Sequence, residues 1–282
     1  MTTPAEVAAA GQLACLLEVS APKPGNVSPD HHFHDTRYED FLASAVAIGP
    51  ALAGAGERAL GVSIRRAVDD TLRWTRSNTN LGIVLLLIPV ARAALQQGGS
   101  LRERLQRILA QTTIADAEQV YAAIRQARPG GLGQSSAEDV AGAPSVTLRD
   151  AMGLAAARDA IAREYITDFA LSFETGVPAL VDARREGLTW TDAAVETYLA
   201  LLEATPDTHI ARKLGLEEAE VVSRRAREVR AAGGTRSAAG QQALVDLDRE
   251  LRDPRNRRNP GSTADLTCAA LFIVILEGGW DH

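Results

Sequence analysis

The stretch Ala5-Glu6-Val7-Ala8-Ala9-Ala10-Gly11-Gln12-Leu13-Ala14-Cys15-Leu16-Leu17-Glu18-Val19-Ser20-Ala21-Pro22-Lys23-Pro24 holds both the periodicity and the punctuation from which the fold class is read. Leu13, Leu16 and Leu17 fall at i, i+3 and i+4, the spacing of one helical face. Alanine, the strongest helix former, is the commonest of the other residues. A helix is therefore predicted over about Ala5 to Ser20, with Glu18 in its last turn. It stops at Ala21 because Pro22 and Pro24 have no N–H to donate and disfavour helical geometry in the residue before them.

The same alanine-, leucine- and arginine-rich texture recurs along the chain, while aromatic residues make up only 4%. It predicts further helices around Tyr38–Ala53, Ser63–Thr75, Gly82–Gln97, Leu101–Gln126, Thr147–Phe173, Thr191–Glu203, Glu217–Ala231, Ser237–Leu251 and Thr263–Leu276. The segments around Ile83 and Phe272 are β-branched enough to be strands by themselves, and their helical surroundings tip them to helix. The expected fold is all-α, a multi-helix bundle with active-site loops at helix ends. No repeat, linker or low-complexity tract divides residues 1–282, so a single domain is expected.

The chain has 282 residues, with 30 basic and 36 acidic side chains and a formal charge of −6. Nonspecific nucleic-acid binding is excluded as an expectation, because counterion release needs a basic face. With 46% apolar and 23% charged residues the chain can build a core, which excludes intrinsic disorder. Two cysteines, Cys15 and Cys268, argue against a disulfide framework or a cysteine zinc site. No secretory signal pattern opens the chain, so the cytoplasm is the expected compartment. The apolar runs Leu81–Ala91 and Leu271–Leu276 are too short for a membrane span of about 20 residues. An alanine-rich helical surface can also pair as a homodimer.

Candidate chemistry lies in the loops. In Glu18-Val19-Ser20-Ala21-Pro22-Lys23-Pro24-Gly25-Asn26-Val27 the proline turn either aims Lys23 at a phosphate or simply ends a helix before an exposed lysine. Asp30, His31, His32, His34 and Asp35 share one loop, but adjacent histidines seldom converge on one metal, so a solvated or substrate-facing loop competes with metal binding. In Arg76-Ser77-Asn78-Thr79-Asn80-Leu81-Gly82, Asn78 and Thr79 precede a helix whose first N–H groups can take an anion, or they cap it. Gly130 and Gly131, in Arg128-Pro129-Gly130-Gly131-Leu132-Gly133, let backbone approach a ligand, without the ending of a Walker loop or a dinucleotide fingerprint.

Asp207-Thr208-His209-Ile210-Ala211-Arg212-Lys213 reads as Asp207 capping a short helix, with His209, Arg212 and Lys213 on its first turns. Carboxylate and cations so close can also hold Mg²⁺ and phosphate. Ser262 and Asp265 are spaced as a capping box at the start of the last helix. The preceding Arg252, Arg255, Arg257 and Arg258 form either a solvated basic loop or an anion funnel. Glu164 and Asp168, like charges at i,i+4, cost stability unless a cation or proton lies between them.

Taken in order, these blocks resemble the triphosphoribosyl-dephospho-coenzyme A synthase family. The resemblance spans nearly the whole chain and is carried by Glu18-Val19 with Pro22-Lys23-Pro24-Gly25, Phe33-His34-Asp35, Asn78-Thr79-Asn80-Leu81-Gly82, Tyr121-Ala122-Ala123-Ile124-Arg125 with Pro129-Gly130-Gly131-Leu132-Gly133, Asp207-Thr208-His209 and Gly261-Ser262-Thr263-Ala264-Asp265-Leu266. It implies an all-helical transferase that takes ATP, releases adenine and joins the ribose C1 to a hydroxyl of dephospho-coenzyme A, keeping the triphosphate. Under that resemblance Glu18 and Asp35 act near the ribose and Asp207 and Asp265 ligate Mg²⁺. Lys23, Asn78, Thr79, Gly130, Gly131, His209, Arg212 and Ser262 would contact substrate.

The chain departs from the citrate-lyase branch of that family at Phe33, at Asn80-Leu81 and at Leu132-Gly133-Gln134, where that branch carries histidine, His-Lys, and arginine with glutamate. The acceptor can therefore differ. The shorter pattern is similar to a branch tied to one-carbon carriers of the tetrahydromethanopterin or methanofuran type. A scaffold that binds nucleotide without catalysis is the reading of another class.

Overall fold

The computed structural model describes residues 2–129 and 139–281, and the observed fold among them is all-α. Their helices are α1 (Pro4–Ser20), α2 (Tyr38–Ala47), α3 (Gly49–Ala53), α4 (Leu60–Thr71), α5 (Leu81–Ala94), α6 (Leu101–Ala110), α7 (Ile114–Ala127), α8 (Leu148–Ala155), α9 (Ala160–Thr167), α10 (Val177–Arg185), α11 (Trp190–Ala204), α12 (Thr208–Leu214), α13 (Leu216–Ala231), α14 (Ala238–Leu251) and α15 (Gly261–Leu276). Extended pairing among the described residues is confined to an isolated antiparallel bridge between Ser28 and His31. Both ambiguous segments are helical, as α5 and α15, and no helix among the described residues is long and apolar enough to cross a membrane.

Where the sequence predicts one helix, the backbone repeatedly breaks in two. Leu101–Gln126 divides because Thr113 starts α7 with a capping box, its hydroxyl accepting from the N–H of Asp116 while the Asp116 carboxylate takes the N–H of Thr113. Thr147–Phe173 divides because Asp159 caps α9 through the N–H of Ala162. Asp168 and Phe169 then adopt φ of 53° and 59°, which ends α9 in the left-handed region. A π-helical turn at Ser172–Gly176 leads directly into α10, a helix the sequence reading leaves out. Tyr38–Ala53 likewise divides at Ile48 into α2 and α3.

Contact density groups the chain into two compact units, Met1–Cys15 with Glu39–Phe169, and Leu16–Tyr38 with Ala170–His282. The single-domain expectation rests on the absence of a linker, and both units are discontinuous in sequence, so no linker composition marks them. In the first unit α4 packs closely on α7. A Cβ on Gly61 would stand 2.5 Å from the carbonyl oxygen of Asp116, whose carboxylate accepts the Gly61 N–H at 2.8 Å. The buried α5 carries Pro89 in its interior, so the carbonyl of Leu85 loses its usual intrahelical donor. The hydroxyl of Tyr165 replaces it, donating to the Leu85 oxygen at 2.7 Å.

In the second unit α11 packs against α10, α13 and α15. Ala269 to Ile273 of α15 are fully buried. The two cysteines are free thiols, both buried.

Candidate active site

The end of α1 closes on its own ammonium group. The N–H of Ala21 bonds the carbonyls of Leu17 and Glu18, Pro22 contributes no donor, and Lys23 folds back to give Nζ to Glu18 Oε1 at 2.9 Å, to the Glu18 carbonyl, and to the Ala21 carbonyl at 3.2 Å. Lys23 is 1% exposed and Glu18 4%. This is neither of the arrangements the sequence leaves open for Lys23. The lysine is buried and satisfies the carbonyls that a helix C-terminus leaves without partners. Glu18 keeps Oε2 free of any hydrogen bond from a described residue.

The turn is pinned from four sides. Gly25 has φ +75°, and a Cβ there would lie 2.8 Å from that of Leu251, so the position takes only glycine without strain. Its N–H donates to Asp248 Oδ1 at 2.8 Å, and Asp248 is clamped by Arg252 Nε and Nη2, both at 2.7 Å, while Nη2 also reaches the Asn26 carbonyl at 3.2 Å. The Tyr198 hydroxyl donates to the Pro24 carbonyl at 2.8 Å and accepts from Asn26 Nδ2 at 3.3 Å. Asn259 Nδ2 bonds the Gly25 carbonyl at 3.0 Å and Asn26 Oδ1 at 2.8 Å. Burial first, then the charges of Asp207, Asp248 and Glu18, push the Tyr198 phenol well above its ordinary value, so it remains a neutral donor.

Asp207 caps α12 as the sequence predicts, with Oδ1 accepting the N–H groups of His209 at 2.8 Å and Ile210 at 3.0 Å. Its Oδ2 accepts both the N–H and the hydroxyl of Thr263 at 2.8 Å, tying α12 to the start of α15. Burial pushes the Asp207 carboxyl up, against the pull of those bonds. Ser262 is not a cap, contrary to the spacing. α15 begins two residues earlier, after Pro260, and the Ser262 hydroxyl meets that of Thr208 at 2.9 Å.

His209 lies beside this joint, its Nδ1 3.5 Å from Arg212 Nη2, and burial followed by the charges of Lys213 and Arg212 lowers it to about 3. Lys213, also lowered by burial and by Arg212, donates to the Asn256 carbonyl at 3.4 Å.

The arginine loop is an ion-paired turn and not an open funnel. Asp253 takes the backbone N–H groups of Arg255, Arg257 and Arg258, which keeps its carboxyl below the usual range although burial opposes the shift. Arg252 pairs with Asp248, Arg257 with Asp253 at 3.7 Å, and Arg258 with Glu218 at 2.5 Å. Asp35 stands in the exposed histidine loop, accepting from the Thr36 hydroxyl at 3.3 Å. His32 Nδ1 accepts the Tyr38 N–H at 3.2 Å and His34 Nδ1 meets Asn256 Nδ2 at 3.1 Å, so these rings turn to separate partners.

In the other unit, Asn78 Oδ1 accepts the Leu81 N–H at 3.1 Å and the Thr79 hydroxyl meets that of Ser44 at 2.6 Å, which favours the capping role of this block. Asp168 leaves the helical face that Glu164 occupies, because its φ is positive, and its oxygens meet Arg149 at 3.2 Å and Gln106 at 3.0 Å. A cation thus pairs with Asp168, and the positive φ takes that carboxylate off the face of Glu164. Gly130 and Gly131 lie outside the described residues.

The donors do not suit a protein-held Mg²⁺ at Asp207, whose four acceptor positions are filled by N–H and O–H groups. Among the described residues no group of three or more His, Cys, Asp or Glu side chains converges on a metal position. The sequence also passes over Tyr198, Asn259, Asn26 and Asp248. Asn259 borders a block that the sequence singles out, but a tyrosine and an aspartate on amphipathic helices read as core and surface.

These features define a class, an all-helical protein whose polar site is built from the end of one helix, a glycine turn and the starts of two others. The chain belongs to the CitG family, ATP:dephospho-CoA triphosphoribosyl transferase, which it matches over residues 4–282. It is similar to a protein of Stutzerimonas stutzeri named "Probable 2-(5''-triphosphoribosyl)-3'-dephosphocoenzyme-A synthase", with 35% identity over 105 residues, 37% of this chain and 36% of that protein. A Pseudomonas savastanoi protein of the same name is 35% identical over 112 residues, 40% of this chain and again 36% of the relative. Those matches therefore span about a third of the curated relatives' length. A crystal structure from Archaeoglobus fulgidus, described as a candidate triphosphoribosyl-dephospho-coA synthase, superposes with a TM-score of 0.65 at 27% identity, covering 84% of this chain and 99% of that one.

Proposed function

We propose that this chain transfers the triphosphoribosyl group of ATP to a hydroxyl of dephospho-CoA and releases adenine. Family membership over residues 4–282 and the similar Archaeoglobus fold support the reaction class. The observation that carries the site assignment is Glu18, a buried carboxylate with Oε1 clamped by Lys23 and Oε2 open. In the reaction the ribose C1–N bond breaks and its electron pair leaves with adenine, which takes up a proton. The acceptor oxygen bonds C1 and gives up its own proton. Glu18 Oε2 is suited to receive that proton and to face the positive charge that develops on the ribose.

His209, which burial holds neutral, offers a ring N–H for a phosphate oxygen, and Arg212 and Lys213 supply positive charge beside it. Ser262 stands within reach of that joint through Thr208. Mg²⁺ arrives in this scheme on the triphosphate, which is its usual carrier, with Asp265 as the protein carboxylate to meet it. Asp35 would act from the exposed loop. Both substrates are met in the cytoplasm, which we take as the compartment.

The test is incubation with ATP and Mg²⁺, with and without dephospho-CoA, following free adenine by chromatography and the adduct by mass. Adenine with the adduct is expected, and Glu18→Gln should lower that turnover by at least about 100-fold. Adenine without adduct points to a different acceptor, as the departures at Phe33 and Asn80-Leu81 allow. Absence of adenine under both conditions overturns the proposal.

A further inference from the structure

The ammonium of Lys23 has three hydrogens, and three oxygens surround it: Glu18 Oε1, the Glu18 carbonyl and the Ala21 carbonyl. At 1% exposure, a ligand could reach Nζ only by undoing the end of α1. The turn leaves little freedom for that, since Gly25, Asn26 and the Pro24 carbonyl are held by Asp248, Arg252, Asn259 and Tyr198. Pulling Lys23 outward would also strand the Glu18 carboxylate in a buried position without its counter-ion, and removing one partner of a buried pair is strongly destabilising.

We infer that Lys23 is a positioning residue, an internal counter-ion that fixes the direction of the Glu18 carboxylate, and that it does not bind the phosphates of the substrate. The inference deepens the reading of Glu18 given above and rests on it for its kinetic consequence. The positive charge for a triphosphate then comes from other residues of this unit, and Arg212 and Lys213 beside His209 are the cations we assign to it.

Four variants test it: Lys23→Met, Lys23→Arg, Glu18→Gln and the double variant Glu18→Gln with Lys23→Met. Lys23→Met should lower the melting temperature by roughly 10 °C, and adding Glu18→Gln should recover most of that loss, because the stranded charge is then gone. In kinetics, Lys23→Met should leave KM for ATP within about twofold while kcat falls by about 100-fold, the size expected when a reacting group is misplaced. Lys23→Arg keeps the charge but changes its shape, and should recover part of kcat at unchanged KM.

A tenfold or larger rise in KM for ATP with kcat retained would overturn the inference in favour of phosphate binding. If the wild-type chain does not turn over ATP with dephospho-CoA, the proposed reaction fails, and the melts still decide the role of Lys23. Recovery in the double variant upholds the pairing, and simple addition of the two losses refutes it.

Discussion

At the scale of single residues, most of what matters is which hydrogen-bonding positions are already filled. Asp207 and Lys23 look like ligands for a cation and an anion in the sequence, and both turn out to have every position taken by protein groups. Local spacing shows Asp207 as a cap, and it does not show Thr263, which lies 56 residues away. His209 carries a consequence for pH. The folded protein holds its ring down to about 3, against an ordinary value near 6.5, through burial and then the charges of Lys213 and Arg212.

Between those limits the unfolded chain takes a proton that the folded chain refuses. Stability should therefore fall as pH drops from about 6.5 toward 3, with no contribution above that range. Urea unfolding of the wild type and His209→Gln at pH 7.5 and pH 5 measures this: the wild type should lose more stability on acidification. Equal losses would show that the ring is free to charge in the fold.

At the scale of elements, the helices themselves are legible from periodicity, and their breaks are legible only in part. Thr113 with Asp116 is a capping box that sequence can show, although the helix formers on both sides of Thr112-Thr113-Ile114 mask the signal. The break at Asp168 and Phe169 has no such signal, since neither residue favours a positive φ strongly enough to announce one. Pro89 gives the reverse case. A proline inside an apolar run suggests a break, yet α5 continues because Tyr165 supplies the donor that the proline removes. Tyr165→Phe should leave the Leu85 carbonyl buried and unpaired and cost about 1–3 kcal/mol in chemical denaturation. A loss below a few tenths would mean that another donor serves that carbonyl.

At the scale of the whole molecule, the net charge is −6, and arginines such as Arg225, Arg227, Arg236, Arg252 and Arg258 are paired with carboxylates. Fluorescence anisotropy with a labelled DNA duplex at about 150 mM salt should accordingly show no binding up to micromolar protein. Saturable binding there would contradict the charge argument.

The amino-acid sequence by itself determined the helical class, both ends of helices such as α1, α11, α13 and α14, the absence of a cysteine framework and the blocks that mark the family. These depend on neighbours within a few positions, through propensity, proline geometry and capping. Only the tertiary structure decided that Lys23 turns inward onto Glu18, that Tyr198, Asn259 and Asp248 hold its turn, and that Asp207 is spent on Thr263. Those outcomes depend on which buried donors find which acceptors across tens to hundreds of residues, and spacing along the chain carries no record of that competition.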